Sequence, residues 1–165
     1  DLDESGTLSS HLTLDVRQYI PVTRRSNLAL RSFAGAAQGN FANPIIFGGL
    51  DTLRGFGFRD LAGDRAFFTN VEFRFPLIDQ LAIGLRGIRG VLFFDLGGAW
   101  FKDFQSFRFY NSDEKRLQDA VASYGWGFTV TAFGGLDLNW DLAKQWDLKE
   151  SRGGFKTAFW IGQRF

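Results

Sequence analysis

The sequence predicts an all-β chain of antiparallel strands, and three observations carry that reading. The final twelve residues alternate Phe155, Thr157, Phe159, Ile161 and Phe165 on one side with Lys156, Ala158, Trp160, Gly162 and Arg164 on the other. Side chains of a strand point to opposite faces with period two, so this segment has one apolar and one polar face. Six further segments repeat the alternation. Among 165 residues there are 20 Phe, 5 Trp and 3 Tyr against only 3 Pro, with 20 Gly for turns. That composition suits strands and turns better than long helices.

The first predicted strand, residues 11–19, sets Leu12, Leu14 and Val16 against His11, Thr13, Asp15 and Arg17. A polar stop around Arg24 and Arg25 separates it from residues 27–37, where Leu28, Leu30, Ser32 and Ala34 oppose Ala29, Arg31 and Phe33. Residues 65–76 alternate most clearly, with Phe67, Thr69, Val71, Phe73 and Phe75 opposite Ala66, Phe68, Asn70, Glu72 and Arg74. Residues 90–101 put Leu92, Phe94, Leu96 and Trp100 against Val91, Phe93, Asp95, Gly97 and Ala99. Residues 123–133 oppose Tyr124, Trp126, Phe128 and Val130 to Gly125, Gly127, Thr129 and Thr131. After Gly134 and Gly135, residues 136–143 alternate Leu136, Leu138, Trp140 and Leu142 with Asp137, Asn139 and Asp141, and residues 154–165 make the seventh strand.

Such alternation fits either of two architectures. In a soluble sandwich the apolar faces pack together and the charges meet water. In a membrane barrel the apolar faces meet lipid and the charges line a wet lumen. Two features favour the barrel. Aromatic residues gather near strand ends (Tyr19, Trp100, Phe101, Tyr124, Trp126, Trp160 and Phe165), where membrane barrels carry interfacial girdles. Connections also alternate, short at 20–26 and 134–135 and medium at 77–89, but long at 38–64, 102–122 and 144–153. Brief turns on one side and extended loops on the other mark an outer-membrane barrel. No stretch approaches the ~18–20 apolar residues of a membrane helix, so a membrane would be crossed only by strands. Counting back seven strands from the short-turn side places Asp1 on the long-loop side. The expected architecture is therefore the last seven, or eight, strands of a longer barrel occupying residues 1–165.

Charge is balanced, with 19 basic and 18 acidic residues and no basic run that would bind nucleic acid. Without cysteine there are no disulfides or thiolate metal sites. Asp1, Asp3 and Ser5 resemble the start of a calcium loop, but the twelfth position is Leu12 where a bidentate Glu is needed. His11 is the sole histidine and no Gly-x-Ser-x-Gly elbow accompanies it, so no hydrolytic site is expected. The charged run 113–121 reads as one or two helical turns on an external, solvated loop.

The loop at 38–64 is the most informative connection. It has no predicted strand of its own, six glycines, and the apolar residues Ile45, Ile46, Phe47 and Leu53, which suggest a packed rather than disordered segment. Within it, Gly48-Gly49 followed by Leu53-Arg54-Gly55-Phe56 resembles the loop signature of the BamA/TamA family of outer-membrane assembly and translocation barrels. Asn70-Val71-Glu72-Phe73-Arg74-Phe75-Pro76 and Phe93-Phe94-Asp95-Leu96-Gly97 resemble that family's next two strands, in order and spacing. Ser123-Tyr124-Gly125-Trp126-Gly127 and the closing Phe159-Trp160-Ile161-Gly162-Gln163-Arg164-Phe165 are similar to its last strands, with Phe159, Ile161 and Phe165 as the C-terminal barrel signal.

The resemblance implies that the 38–64 loop folds back into the lumen and that Arg54 meets Asp95 and Glu72 on the inner wall. An arginine brought inside needs such charge-assisted partners to offset desolvation. It further implies a bacterial-type outer-membrane location, no enzyme chemistry and no cofactor. The implied activity is insertion or translocation of client outer-membrane or secreted proteins by strand pairing at a lateral seam. Outer-membrane lipids and accessory assembly proteins are the other expected partners. The alternative is a structural or pore-forming outer-membrane barrel that handles no client.

Overall fold

The computed structural model describes residues 9–39, 42–50, 52–82, 85–132 and 135–165. The acidic stretch before Leu8 and the Gly134 position of the predicted turn lie outside these residues. Seven long strands form one antiparallel sheet: β1 (Ser10–Pro21), β2 (Asn27–Gln38), β5 (Arg65–Ala82), β6 (Leu85–Trp100), β9 (Val121–Ala132), β10 (Leu136–Trp146) and β11 (Ser151–Ile161). Each pairs with the strand next along the sheet in that order, leaving β1 and β11 as its two edges. Two hairpins lie outside the sheet, β3 (Ile45–Phe47) with β4 (Leu61–Gly63) and β7 (Tyr110–Asn111) with β8 (Arg116–Leu117).

All seven alternating segments are strands, and the departures are at their ends. The hairpin β5–β6 continues beyond Pro76, which pairs with Arg89, to Ala82 opposite Leu85. Its register shifts between Pro76 and Ile78. Proline lacks the N–H that a ladder uses and is tolerated at a bulge. It therefore reads as a strand end in the sequence while the backbone pairing resumes beyond it. The connection expected at 144–153 is not long. Asp147 accepts the amide N–H groups of Lys149 and Glu150, closing a tight turn between Trp146 and Ser151. The 38–64 loop does contain strand structure, the β3–β4 hairpin. Residues 113–121 form no helix: Asn111 Oδ1 caps the amides of Asp113 and Glu114 and folds the chain into β7–β8.

Burial is inverted relative to a soluble sandwich. One face of the sheet, here called inner, is covered by the segment between β2 and β5. On it Asn70, Glu72, Asp95, Asn139 and Asp141 are all at most 1% exposed. On the outer face, by contrast, Leu92 is 52%, Trp126 48% and Phe159 62% exposed. Among the described residues that apolar face is bare around these side chains, and only its corner at Phe67, Phe94 and Leu96 is covered, by the connection between β6 and β9. A soluble sheet would bury these rings and wet the carboxylates; a barrel wall does the reverse. Cross-strand neighbours such as Phe128 and Trp140, with centroids 5.7 Å apart, form the outer surface.

The aromatic residues near strand ends do not all join an outer girdle. Trp100, Tyr124 and Trp126 point outward, whereas Tyr19 shares the inner face with Asp15 and Arg17 by strand alternation. Trp160 donates its indole N–H inward to Asp141. Phe165 is also a correction. β11 ends at Ile161, and Gly162 takes φ +143°, a conformation open chiefly to glycine. The chain there leaves the strand and tucks Phe165 into the inner side, only 6% exposed, between Arg31 and Arg74. Phe159 and Ile161 stay on the outer face.

Candidate functional site

The segment between β3 and β4 is built to deliver one arginine onto the inner wall. Gly48 and Gly49 adopt φ +130° and +75°, and the Gly49 amide donates to the Leu53 carbonyl over 3.0 Å. Thr52 staples this turn, its hydroxyl donating to the Gly49 carbonyl and accepting from the Gly48 amide. Leu53 is then fully buried with Phe47, Ala66 and Phe68, against which Phe33, Phe56 and Val121 also pack. Burial of one leucine stabilises by about 1.5–3 kcal/mol. That contact fixes the position of the next residue.

Arg54 lies between two carboxylates. Its Nε donates to Asp95 Oδ2 at 2.8 Å, Nη2 to Asp95 Oδ1 at 2.6 Å, and Nη1 to Glu72 Oε1 at 2.5 Å. The Arg54 backbone amide also donates to Asp95 Oδ2 at 3.1 Å. The guanidinium lies 3.7 Å from the Phe93 ring centroid, a cation–π contact that β6 supplies two residues from Asp95. Asn70 adds a hydrogen bond to Asp95 Oδ1 at 2.8 Å and reaches back to the Thr52 carbonyl. The bidentate fork on Asp95 fits a guanidinium and no other cation.

Gly55 carries the loop onward across the wall. It adopts φ +84°, its carbonyl accepts from Gln145 Nε2 at 2.8 Å, and a Cβ there would stand 3.2 Å from the Ala143 Cβ. The loop therefore touches β5, β6 and β10. Phe56 packs at the edge of the Leu53 cluster.

Glu72 is shared. Its Oε2 accepts from Arg74 Nε at 2.7 Å, and its Oε1 lies 3.6 Å from Arg164 Nη1. Arg164 also grips Asp141, with Nη2 to Oδ1 at 2.5 Å and Nη1 to Oδ2 at 3.1 Å, and donates from Nε to Thr129 at 3.0 Å. Asn139 holds the Gly162 carbonyl at 2.7 Å, and Arg74 donates to the Phe165 carbonyl at 2.6 Å. The inward-turned residues 162–165 and the Arg54 loop thus meet at one carboxylate.

Of the residues singled out from sequence, Gly48, Gly49, Leu53, Arg54, Gly55, Phe56, Glu72 and Asp95 come together here. Phe159 and Ile161 stand apart on the outer face, and Phe165 joins the inner cluster instead. Asn70, Phe93, Arg74, Asp141 and Arg164 belong to the cluster but were not singled out as site residues. Their place on the inner face is readable from alternation, but their pairings depend on strand register. Among the described residues no group of three or more His, Cys, Asp or Glu side chains could hold a metal ion.

A sheet whose charged face is buried under its own loop and whose apolar face is largely exposed is a membrane-barrel wall. The Omp85 superfamily domain matches residues 5–165, and the chain belongs to that superfamily, which covers outer-membrane protein insertion and translocation. A search of curated proteins finds no match.

Proposed function

We propose that this chain is the wall of a bacterial-type outer-membrane barrel of the BamA/TamA kind, which inserts or translocates client proteins by strand pairing. The observation that carries the reading is the Arg54 clamp, which ties a folded-in loop to Glu72 and Asp95 and so fixes the curvature of the wall from inside. In this reading an opened seam would expose a row of backbone donors and acceptors on a terminal strand, and an incoming strand would pair with it. Work is done by pairing and release of strands, without a nucleophile, cofactor or bound nucleotide. Client outer-membrane or secreted proteins, surrounding lipids and accessory assembly proteins are the partners.

The test is a photocrosslinking amino acid at Thr157, an exposed β11 position, in the full-length protein in cells. Capture of newly made outer-membrane proteins supports the proposal. Capture of lipid or of the barrel's own strands alone, with normal levels of other barrels after depletion, favours the pore-forming or structural alternative.

A further inference from the structure

The connection between β6 and β9 does not lie across the mouth of the wall. It leans onto the outer face. Leu117, Ala120 and Ala122 form a buried cluster against Phe67, Phe94, Leu96 and Phe107. Phe67, Phe94 and Leu96 occupy outward positions on β5 and β6, opposite in parity to Glu72 and Asp95. Phe107 stacks on Trp100 at 4.4 Å and meets Phe67 edge-on at 5.8 Å, and Phe109 lies 6.2 Å from Phe67. On the neighbouring strands Trp146 continues the ring series, 6.1 Å from Phe94 and 6.0 Å from Tyr124.

The loop is held in this position by its backbone. Asp119 and Gln118 donate their amides to the carbonyls of Arg108 and Phe109, and the Leu117 amide donates to the Asp147 carbonyl at 2.8 Å. It is therefore a fixed part of the outer surface. Yet Phe109 remains 43% exposed beside rings that belong to the wall. An exposed phenylalanine continuous with a lipid-facing aromatic row, and flanked by the charged Arg108, suits the boundary between headgroups and acyl chains. Rings are favoured there and full exposure to water is not.

We infer that the 101–120 loop is a membrane-interface anchor, with Phe109 seated at the headgroup level of the outer leaflet. This rests on the membrane-barrel reading above. The loop extends the aromatic girdle of the wall beyond its strands and holds the β5–β6–β9 side at a set depth in the bilayer.

These 165 residues contain no cysteine, which makes single-site labelling direct. Phe109→Cys, in a full-length background free of other cysteines, is labelled with an environment-sensitive fluorophore and reconstituted into phosphatidylcholine–phosphatidylglycerol vesicles. Nitroxides at the headgroup and upper acyl chain are expected to remove most of its emission, and aqueous iodide little. Leu92→Cys, on the outer face within β6, is the deep reference, and Ser112→Cys, at the exposed loop tip, the aqueous one. If the Phe109 probe follows the Ser112 probe, quenched by iodide and not by nitroxide lipid, the anchor is overturned while the barrel stands. If Leu92 itself escapes every lipid nitroxide, the membrane reading fails and the anchor with it. Shielding of Phe109 from both quenchers marks a protein partner and also overturns the proposal. Phe109→Trp, which keeps a ring in place, gives a second measurement through quenching of the added indole.

Discussion

Replacing Arg54 with alanine removes three side-chain hydrogen bonds to two carboxylates that are themselves at most 1% exposed. Breaking a buried ion pair by deleting one partner costs about 3–5 kcal/mol, mostly for the charge left behind. Here both carboxylates keep some support. Asp95 retains Asn70 and the residue-54 amide, which alanine still supplies, and Glu72 retains Arg74. These compensations point to the low end, about 3 kcal/mol, to which the lost contact with Phe93 adds about 1 kcal/mol. The folded-to-unfolded ratio at equilibrium should drop by a factor of roughly a thousand, since each 1.4 kcal/mol is about tenfold. Urea unfolding of the full-length barrel in detergent, followed by tryptophan fluorescence, measures the loss. Arg54→Lys should recover less than half, because an ammonium cannot present the planar fork. The double change Arg54→Met, Asp95→Asn should recover more, since the Asp95 charge is then no longer stranded and Glu72 keeps Arg74. A loss below about 1 kcal/mol for Arg54→Ala, within the range of a solvated surface pair, would refute the clamp.

Arg164→Ala should free residues 162–165 by removing the grip on Asp141, costing about 3 kcal/mol for a pair this buried, and should speed amide exchange at Gly162. Gly55→Ala is expected to destabilise by about 1–2 kcal/mol, because φ +84° is unfavourable for alanine and the new methyl presses on Ala143; a neutral result in the same urea assay would contradict the close approach. The Glu150 amide first, then the Lys149 amide and Arg152, hold the Asp147 carboxyl below the usual carboxylate range. Its contribution to the β10–β11 turn is therefore complete above the ordinary aspartate value of about 3.9 and is lost as pH falls through the lower folded value. The protection of the Lys149 and Glu150 amides from hydrogen exchange, relative to the intrinsic rate at each pH, should fall only below about pH 4, and Asp147→Asn should remove that pH dependence.

The strands were legible because a half-buried strand writes its two environments into alternate residues. Residues 27–37 and 123–133 could be placed to within two residues of β2 and β9 on that ground. What alternation cannot display is pairing that continues past a proline, as at Pro76, or a turn closed by one carboxylate, as at Asp147. Phe165 was read with Phe159 and Ile161 because parity is preserved on paper. Gly162 breaks the strand and makes parity meaningless beyond it. Glu72 and Asp95 could be assigned to the polar face from their own strands, but only the family resemblance linked them to Arg54. Their separations, 18 and 41 residues, lie far outside any local pattern. Phe93 gave no signal, since a ring on the charged face looks like an exception until a guanidinium is found resting on it.

Three arginines, Arg54, Arg74 and Arg164, interlock with three carboxylates, Glu72, Asp95 and Asp141, on the inner wall. The arrangement is electroneutral, and its opposite charges spend their fields on one another. An ion drifting past would meet no net potential from it, so this stretch of wall should contribute little preference for cations over anions to any measured conductance. Alanine at Arg54 would leave one surplus negative charge, and the same recording should then tilt toward potassium over chloride.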